Sequence, residues 1–128
     1  YQKDDVRRVL QDIVTKESFK AIYNPVLTYK QQKEIFQIYL DNIEKNPNEI
    51  EEIISCDNNK IKQMFLKIKN PNYKAKILDY PLKFNTDVII YDNKVFLGSY
   101  ENNSAIIISD PNIYESFNNL HTYLWNNL

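Results

Sequence analysis

Side chains able to do chemistry are few in this chain, and most stand far apart. It contains one histidine, His121, and one cysteine, Cys56. One of each cannot complete a zinc site of the Cys/His type. A single glycine, Gly98, excludes phosphate-cradling loops, which need several. Cys56 stands beside Asp57 without a basic neighbour to stabilise a thiolate, so a redox role is not indicated. The acidic run Glu49, Glu51 and Glu52 has the right atoms for a divalent cation. It reads more simply as a solvated face, because metal-grade carboxylates must converge. Polar residues gather instead along NTDVIIYDNKVFLGSYENN, where Asn85, Asp87, Ser99, Glu101 and Asn103 fall at the ends of two predicted strands. These strands meet at Asp92-Asn93, two residues that tolerate the positive φ of a tight hairpin turn. If these strand ends line one cleft, their amides, hydroxyl and carboxylates suit a neutral polyol, a sugar or a cation better than an anion. The plainer alternative is that Asn85 and Asp87 start a strand and Glu101 to Asn103 form a solvated turn.

Apolar spacing predicts the elements that must hold these residues. In KDDVRRVLQDIVTKE, Val6, Val9, Leu10, Ile13 and Val14 share one side of a helix, with Asp4 and Asp5 in its first turn. Val6, Val9, Leu10 and Ile13 have the spacing of a short coiled-coil seam. Residues 1–17 are therefore read as a linker and dimerisation helix, ahead of a domain over residues 18–128. The competing reading packs the same stripe on the domain's own sheet. FKAIYN is a short strand, and Thr28 with Gln31 reads as a capping box opening a second helix that buries Ile35, Phe36, Tyr39, Leu40 and Ile43. EIEEIIS is a strand. A third helix, capped at Asp57 or Asn58, buries Ile61, Met64, Phe65 and Ile68, and KAKIL is a further strand. After three more strands, Asp110 caps a closing helix with Pro111 at its first position. Its predicted buried stripe is Ile113, Phe117, Leu120 and Leu124, widened by Tyr114 and Trp125.

Alternating strands and helices in the first half imply parallel pairing, and the later hairpin adds antiparallel strands. The expected class is α/β, a mixed sheet with helices on both faces. The unbroken apolar runs DVII and AIII suit central strands. With 128 residues, net charge −1 and charges of both signs interspersed, no basic face appears for nucleic acid. No apolar run approaches the ~18 residues of a membrane span, and no signal peptide is visible. The lone cysteine fits a reducing, cytoplasmic compartment. A start at Tyr1 instead of Met reads as a fragment of a longer protein.

The stretch VIIYDNKVFLGS resembles the phospholipase D superfamily, in which HxKxxxxD climbs one strand into a turn and the next strand ends in GS followed by Asn. In that family the His attacks phosphorus and the Lys neutralises phosphate oxygens. Here the His position holds Asn85, the Lys position holds Asp87, and the later Asn position holds Glu101 or Asn102. An amide has no basic lone pair for attack, and a carboxylate repels a phosphodiester. Phosphodiester hydrolysis is not expected, and no cofactor is called for. Over roughly its last hundred residues the chain is similar to the C-terminal domain of TrmB-like transcriptional regulators. The shared features are the DVIIYDNKV turn, the AIIIS strand, the DP helix start and a terminal F…L…LW. Those proteins join a winged helix to a degenerate phospholipase D-like domain. The resemblance implies a non-catalytic sensor and dimerisation domain, touching DNA only through a domain outside this segment. The expected homodimer is joined through the first helix or a sheet edge, and the polar strand ends suit a small polar ligand such as a sugar. The alternative is a phosphodiesterase-like enzyme, or its relic, using another acid/base pair such as Asp87 with Glu101.

Overall fold

The alternation of strand and helix periods is realised almost element by element. The computed structural model describes residues 3–80, 82–83, 85–99, 102 and 104–128, with side chains from Arg7 onward. In chain order the elements are α1 (Lys3–Lys16), β1 (Phe19–Tyr23), α2 (Val26–Gln31), α3 (Lys33–Lys45), β2 (Ile50–Ser55), α4 (Asn59–Leu66), β3 (Tyr73–Leu78), β4 (Asp87–Tyr91), β5 (Lys94–Ser99), β6 (Ser104–Ser109) and α5 (Pro111–Asn126).

The strands form one mixed sheet in the order β3-β2-β1-β4-β5-β6. β1, β2 and β3 run parallel, linked by crossovers through α2–α3 and α4. β4 lies antiparallel to β1, and β4, β5 and β6 form an antiparallel meander. The sheet thus grows one way from β1 through crossovers and the other way through hairpins. The reversal falls at the β1–β4 pair, at the carboxyl end of β1 and the start of β4. The connection from β3 to β4 crosses that same end: Ser55 Oγ donates to the Tyr80 carbonyl at 2.6 Å, and Asn24 Nδ2 donates to the Leu82 carbonyl at 3.0 Å.

Local signals explain most boundaries. Asp92 and Asn93 have φ of 42° and 58°, the left-handed pair that a two-residue hairpin turn needs. Asp110 Oδ1 accepts from the backbone N–H groups of Asn112 and Ile113, and Asn58 Oδ1 accepts from that of Ile61. Thr28 behaves differently from its predicted capping role. The helix begins earlier, where Asn24 Oδ1 accepts from the Val26 N–H, and it breaks at Gln32 instead of running through. Thr28 is therefore inside α2, and its carbonyl accepts from the Gln32 N–H.

Period two divides the sheet into two faces. One face carries Phe19, Ala21, Tyr23, Ile50, Ile54, Ile89 and Phe96, packed with residues of α1, α3 and α4 in the main core. The other carries Val88, Ile90 and Val95 beneath Tyr114 and Phe117 of α5. α1 lies on α3 and β6. Leu10 and Ile13 are 5% and 3% exposed and belong to the main core, with Val9 packed against it. Of the two readings of this stripe, packing on the chain's own body is the one realised for these residues. A seam with another chain cannot use surface that is already covered; the Val6 side chain lies outside the described residues. Two further expectations change. β6, with its AIII run, is an edge strand and not a central one. α5 is rotated about its axis, so that His121 points inward while Ile113, Leu120 and Leu124 stay exposed.

Candidate functional site

The strand-end residues singled out in the sequence do not converge as a set. Asn85 is exposed ahead of β4, Asp87 is half-buried as its first residue, and Ser99 is half-buried as the last of β5. Asp87 pairs with Gly98, so Ser99 projects from the opposite face of the sheet. Glu101 and Asn103 lie outside the described residues. Asp87 keeps a place in a site, though a different one. The β1–β4 register sets it across from Tyr23, at the carboxyl end of β1 where the sheet reverses.

There a small cleft opens, lined by Tyr23, Pro25, Thr28, Ile35, Phe36, Tyr39 and Asp87. Its volume of about 20 Å³ is room for one water or one ligand hydroxyl. Behind it sits a carboxylate that the sequence hid. Glu52 of β2 has no exposed surface. Tyr39 Oη donates to its Oε2 at 2.5 Å and Tyr73 Oη to its Oε1 at 2.7 Å. Burial pushes the Glu52 carboxyl from 4.5 up to about 7, against the opposing pull of these phenol hydrogen bonds. The Tyr39, Tyr73 and Tyr23 hydroxyls are all held well above their ordinary range, first by burial and then by the Glu52 charge. Tyr23 packs edge-on to Tyr39, with ring centroids 5.7 Å apart; its buried hydroxyl lies near the Tyr39 hydroxyl and the Glu52 carboxylate without making a hydrogen bond of proper geometry to a described residue. The cluster draws one residue from each of β1, β2, β3 and α3. The acidic run is therefore not a uniform solvated face: Glu49 is exposed, whereas Glu52 lies in the core. The available signal was positional, since Glu52 falls midway between Ile50 and Ile54 on one strand face.

A second concavity, of about 130 Å³, lies between α1 and α3. Leu10, Val14, Ile35, Ile38 and Tyr39 form its walls, with Arg7, Gln11 and Asn42 at its rim. Tyr39 and Ile35 separate it from the cleft.

The described residues give this region carboxyls and phenols, without an amine or imidazole. Lone His121 is elsewhere, buried under α5 with its ring stacked on Trp125 at 5.8 Å. Burial lowers it from 6.5 to about 4, helped by the Lys20 charge, so the ring is neutral near pH 7. Although backbone groups of Ala21 and Glu51 lie near it, neither ring nitrogen makes a hydrogen bond of proper geometry to a described residue. Cys56 is buried, and burial pushes its thiol up, away from a reactive thiolate. No group of three metal-ligating side chains occurs among the described residues.

No protein-family model matches the chain, and no curated protein matches it in sequence. In fold it is similar to TrmBL2, described as an archaeal chromatin protein that shows a novel mode of DNA binding. The likeness has a TM-score of 0.57 at 13% identity, and covers 98% of this chain and 48% of that one. The chain thus spans about half the length of the protein it matches. No helix among the described residues is long and apolar enough to cross a membrane.

Proposed function

We propose that this chain is the non-catalytic sensor and dimerisation module of a TrmB-like transcriptional regulator, built on a degenerate phospholipase D-like sheet. DNA is bound by a winged-helix domain elsewhere in the protein. Likeness in fold to TrmBL2, over about half of that protein, supports the regulatory context. One observation carries the non-catalytic part. At the β1–β4 junction the cleft offers Asp87 and two phenols, while Asn85 stands exposed where a nucleophilic imidazole would be required. A carboxylate facing a phosphodiester raises the barrier by charge repulsion, and a phenol held above its ordinary pKa is a poor base near pH 7.

The same groups serve a neutral, hydroxylated ligand. A hydroxyl entering the cleft donates to the Asp87 carboxylate and accepts from the Tyr23 hydroxyl, which makes no hydrogen bond of proper geometry to a described residue. The rest of a sugar would lie outside, over Thr28 and Pro25. Binding draws α3 through Tyr39, and α1 through its packing on α3, which gives a signal a path toward the amino-terminal end.

Two measurements test this reading. Purified chain should not turn over a chromogenic phosphodiester; steady turnover that disappears in Asp87→Ala would refute the non-catalytic assignment. A panel of mono- and disaccharides should contain one that raises Tm, and Asp87→Ala should abolish that rise. At about 100-fold excess over Kd the folded state gains about 2.7 kcal/mol, a shift of several degrees. No response across the panel removes the sugar-sensing part.

A further inference from the structure

The two edges of the sheet are treated differently. β3, on one side, is YKAKIL and carries Lys74 and Lys76. Charged residues of this kind keep an open strand edge from pairing with another chain. β6, on the other side, is SAIIIS, with neither a charge nor a proline. Among the described residues no strand pairs with its outer side.

α5 extends this unguarded edge. Its inward residues are Tyr114, Phe117, His121 and Trp125. Lys20 Nζ donates to Thr122 Oγ1, and Lys76 Nζ donates to the Trp125 carbonyl. These contacts mark the flank turned toward β1 and β3. A helical advance of 100° per residue places Ile113, Leu120 and Leu124 on the opposite flank, toward β5 and β6. Ile113, Leu120 and Leu124 are 36%, 59% and 38% exposed, and Ile106, on the α5-covered face of β6, is 60% exposed. A contiguous apolar stripe beside an open edge marks an association surface.

We propose that β6 and the adjoining flank of α5 join two copies of this chain. The second copy is favoured over another partner by charge. Glu115 is the only charged residue in α5 apart from the buried neutral His121, and β6 has none. A basic or acidic partner is offered no complement here, whereas two identical uncharged surfaces meet without like-charge repulsion. Antiparallel pairing of β6 with its copy satisfies the twofold symmetry of such a contact. It joins the two sheets edge to edge and brings the two α5 stripes together across the axis. The apolar stripe of α1 takes no part, since Leu10 and Ile13 are already covered in their own core, where α1 packs on α3 and β6. The proposal deepens the dimerisation half of the regulator reading and does not depend on ligand binding.

Sedimentation velocity on the 128-residue chain over a concentration series tests it. Wild type should be a dimer. Ile106→Lys in β6 and Leu120→Lys in α5 should each raise the dimer Kd at least about tenfold. Leu66→Lys, on the far face at a site 51% exposed, should leave it unchanged. Circular dichroism spectra and Tm confirm that each variant is folded. A wild-type monomer at high micromolar concentration overturns the proposal, as does a dimer indifferent to Ile106→Lys. Equal weakening by Leu66→Lys overturns it too. A chain that dimerises this way yet binds no sugar leaves the interface standing while the sensing assignment fails.

Discussion

Two buried groups of opposite pH response conceal each other in this protein, and Glu52→Gln separates them. Burial lifts the Glu52 carboxyl from 4.5 to about 7. Below pH 4.5 it is protonated in folded and unfolded chain alike. As pH rises through about 7, the folded protein holds a proton that the unfolded chain has released, until it must ionise an acid inside the core. The stability present below pH 4.5 is therefore lost on the way up. At about 1.4 kcal/mol per pH unit, this climb is worth about 3 kcal/mol. His121 has the reverse sign. Its ring falls from 6.5 to about 4, so stability is present above pH 6.5 and lost as pH falls through about 4, by up to a similar amount. Together they leave the natural chain with a nearly flat contribution across the acidic range. Glu52→Gln keeps the shape, and its amide oxygen still accepts from Tyr39 or Tyr73, but it no longer titrates. Urea unfolding followed by fluorescence of the single Trp125, at about pH 4.5 and about pH 8, reads the effect. Relative to wild type, the variant should gain about 3 kcal/mol between the two conditions. Parallel pH profiles for the two proteins would refute the claim that Glu52 binds its proton inside the core.

Two packing predictions follow from the same physics. A Cβ added at Gly98 would sit 2.6 Å from Phe96 Cε1, and that ring is 1% exposed with little room to retreat, so Gly98→Ala should cost about 1–3 kcal/mol in denaturant unfolding. The buried amide of Asn46 donates to the Val14 and Glu17 carbonyls at 2.7 and 2.9 Å and accepts from the Asn48 N–H, tying the end of α1 to the loop before β2. Asn46→Ala strips these partners, and should lower stability by about 2–3 kcal/mol and speed amide exchange in α1; an unchanged exchange pattern there would count against this tie.

What the sequence determined by itself was whatever one or two adjacent residues can enforce. Asp92-Asn93 makes a tight turn because both backbones accept positive φ. Asp110-Pro111 starts α5 because a carboxylate cap and a missing N–H suit a first turn. Strand and helix periods determined the element order, hence the mixed α/β class. What only the tertiary structure decided was the environment of each side chain. Glu52 sits among acidic neighbours in sequence, yet its partners Tyr39 and Tyr73 come from α3 and β3, and only the docking of that helix and the β2–β3 pairing bring them to it. Asn85, Asp87 and Ser99 look like one site on paper, but the β4–β5 pairing sends Asp87 and Ser99 to opposite faces. α5 shows the limit most plainly. Its leucines outweigh one histidine in any apolar moment, yet His121 lies inside and Leu120 outside, because the helix must fit the Val88, Ile90 and Val95 surface of the sheet. A periodic pattern states that a helix has an apolar side. Only the surface it docks on selects which residues of that side are covered, because burial is a relation between elements that no single stretch of chain contains.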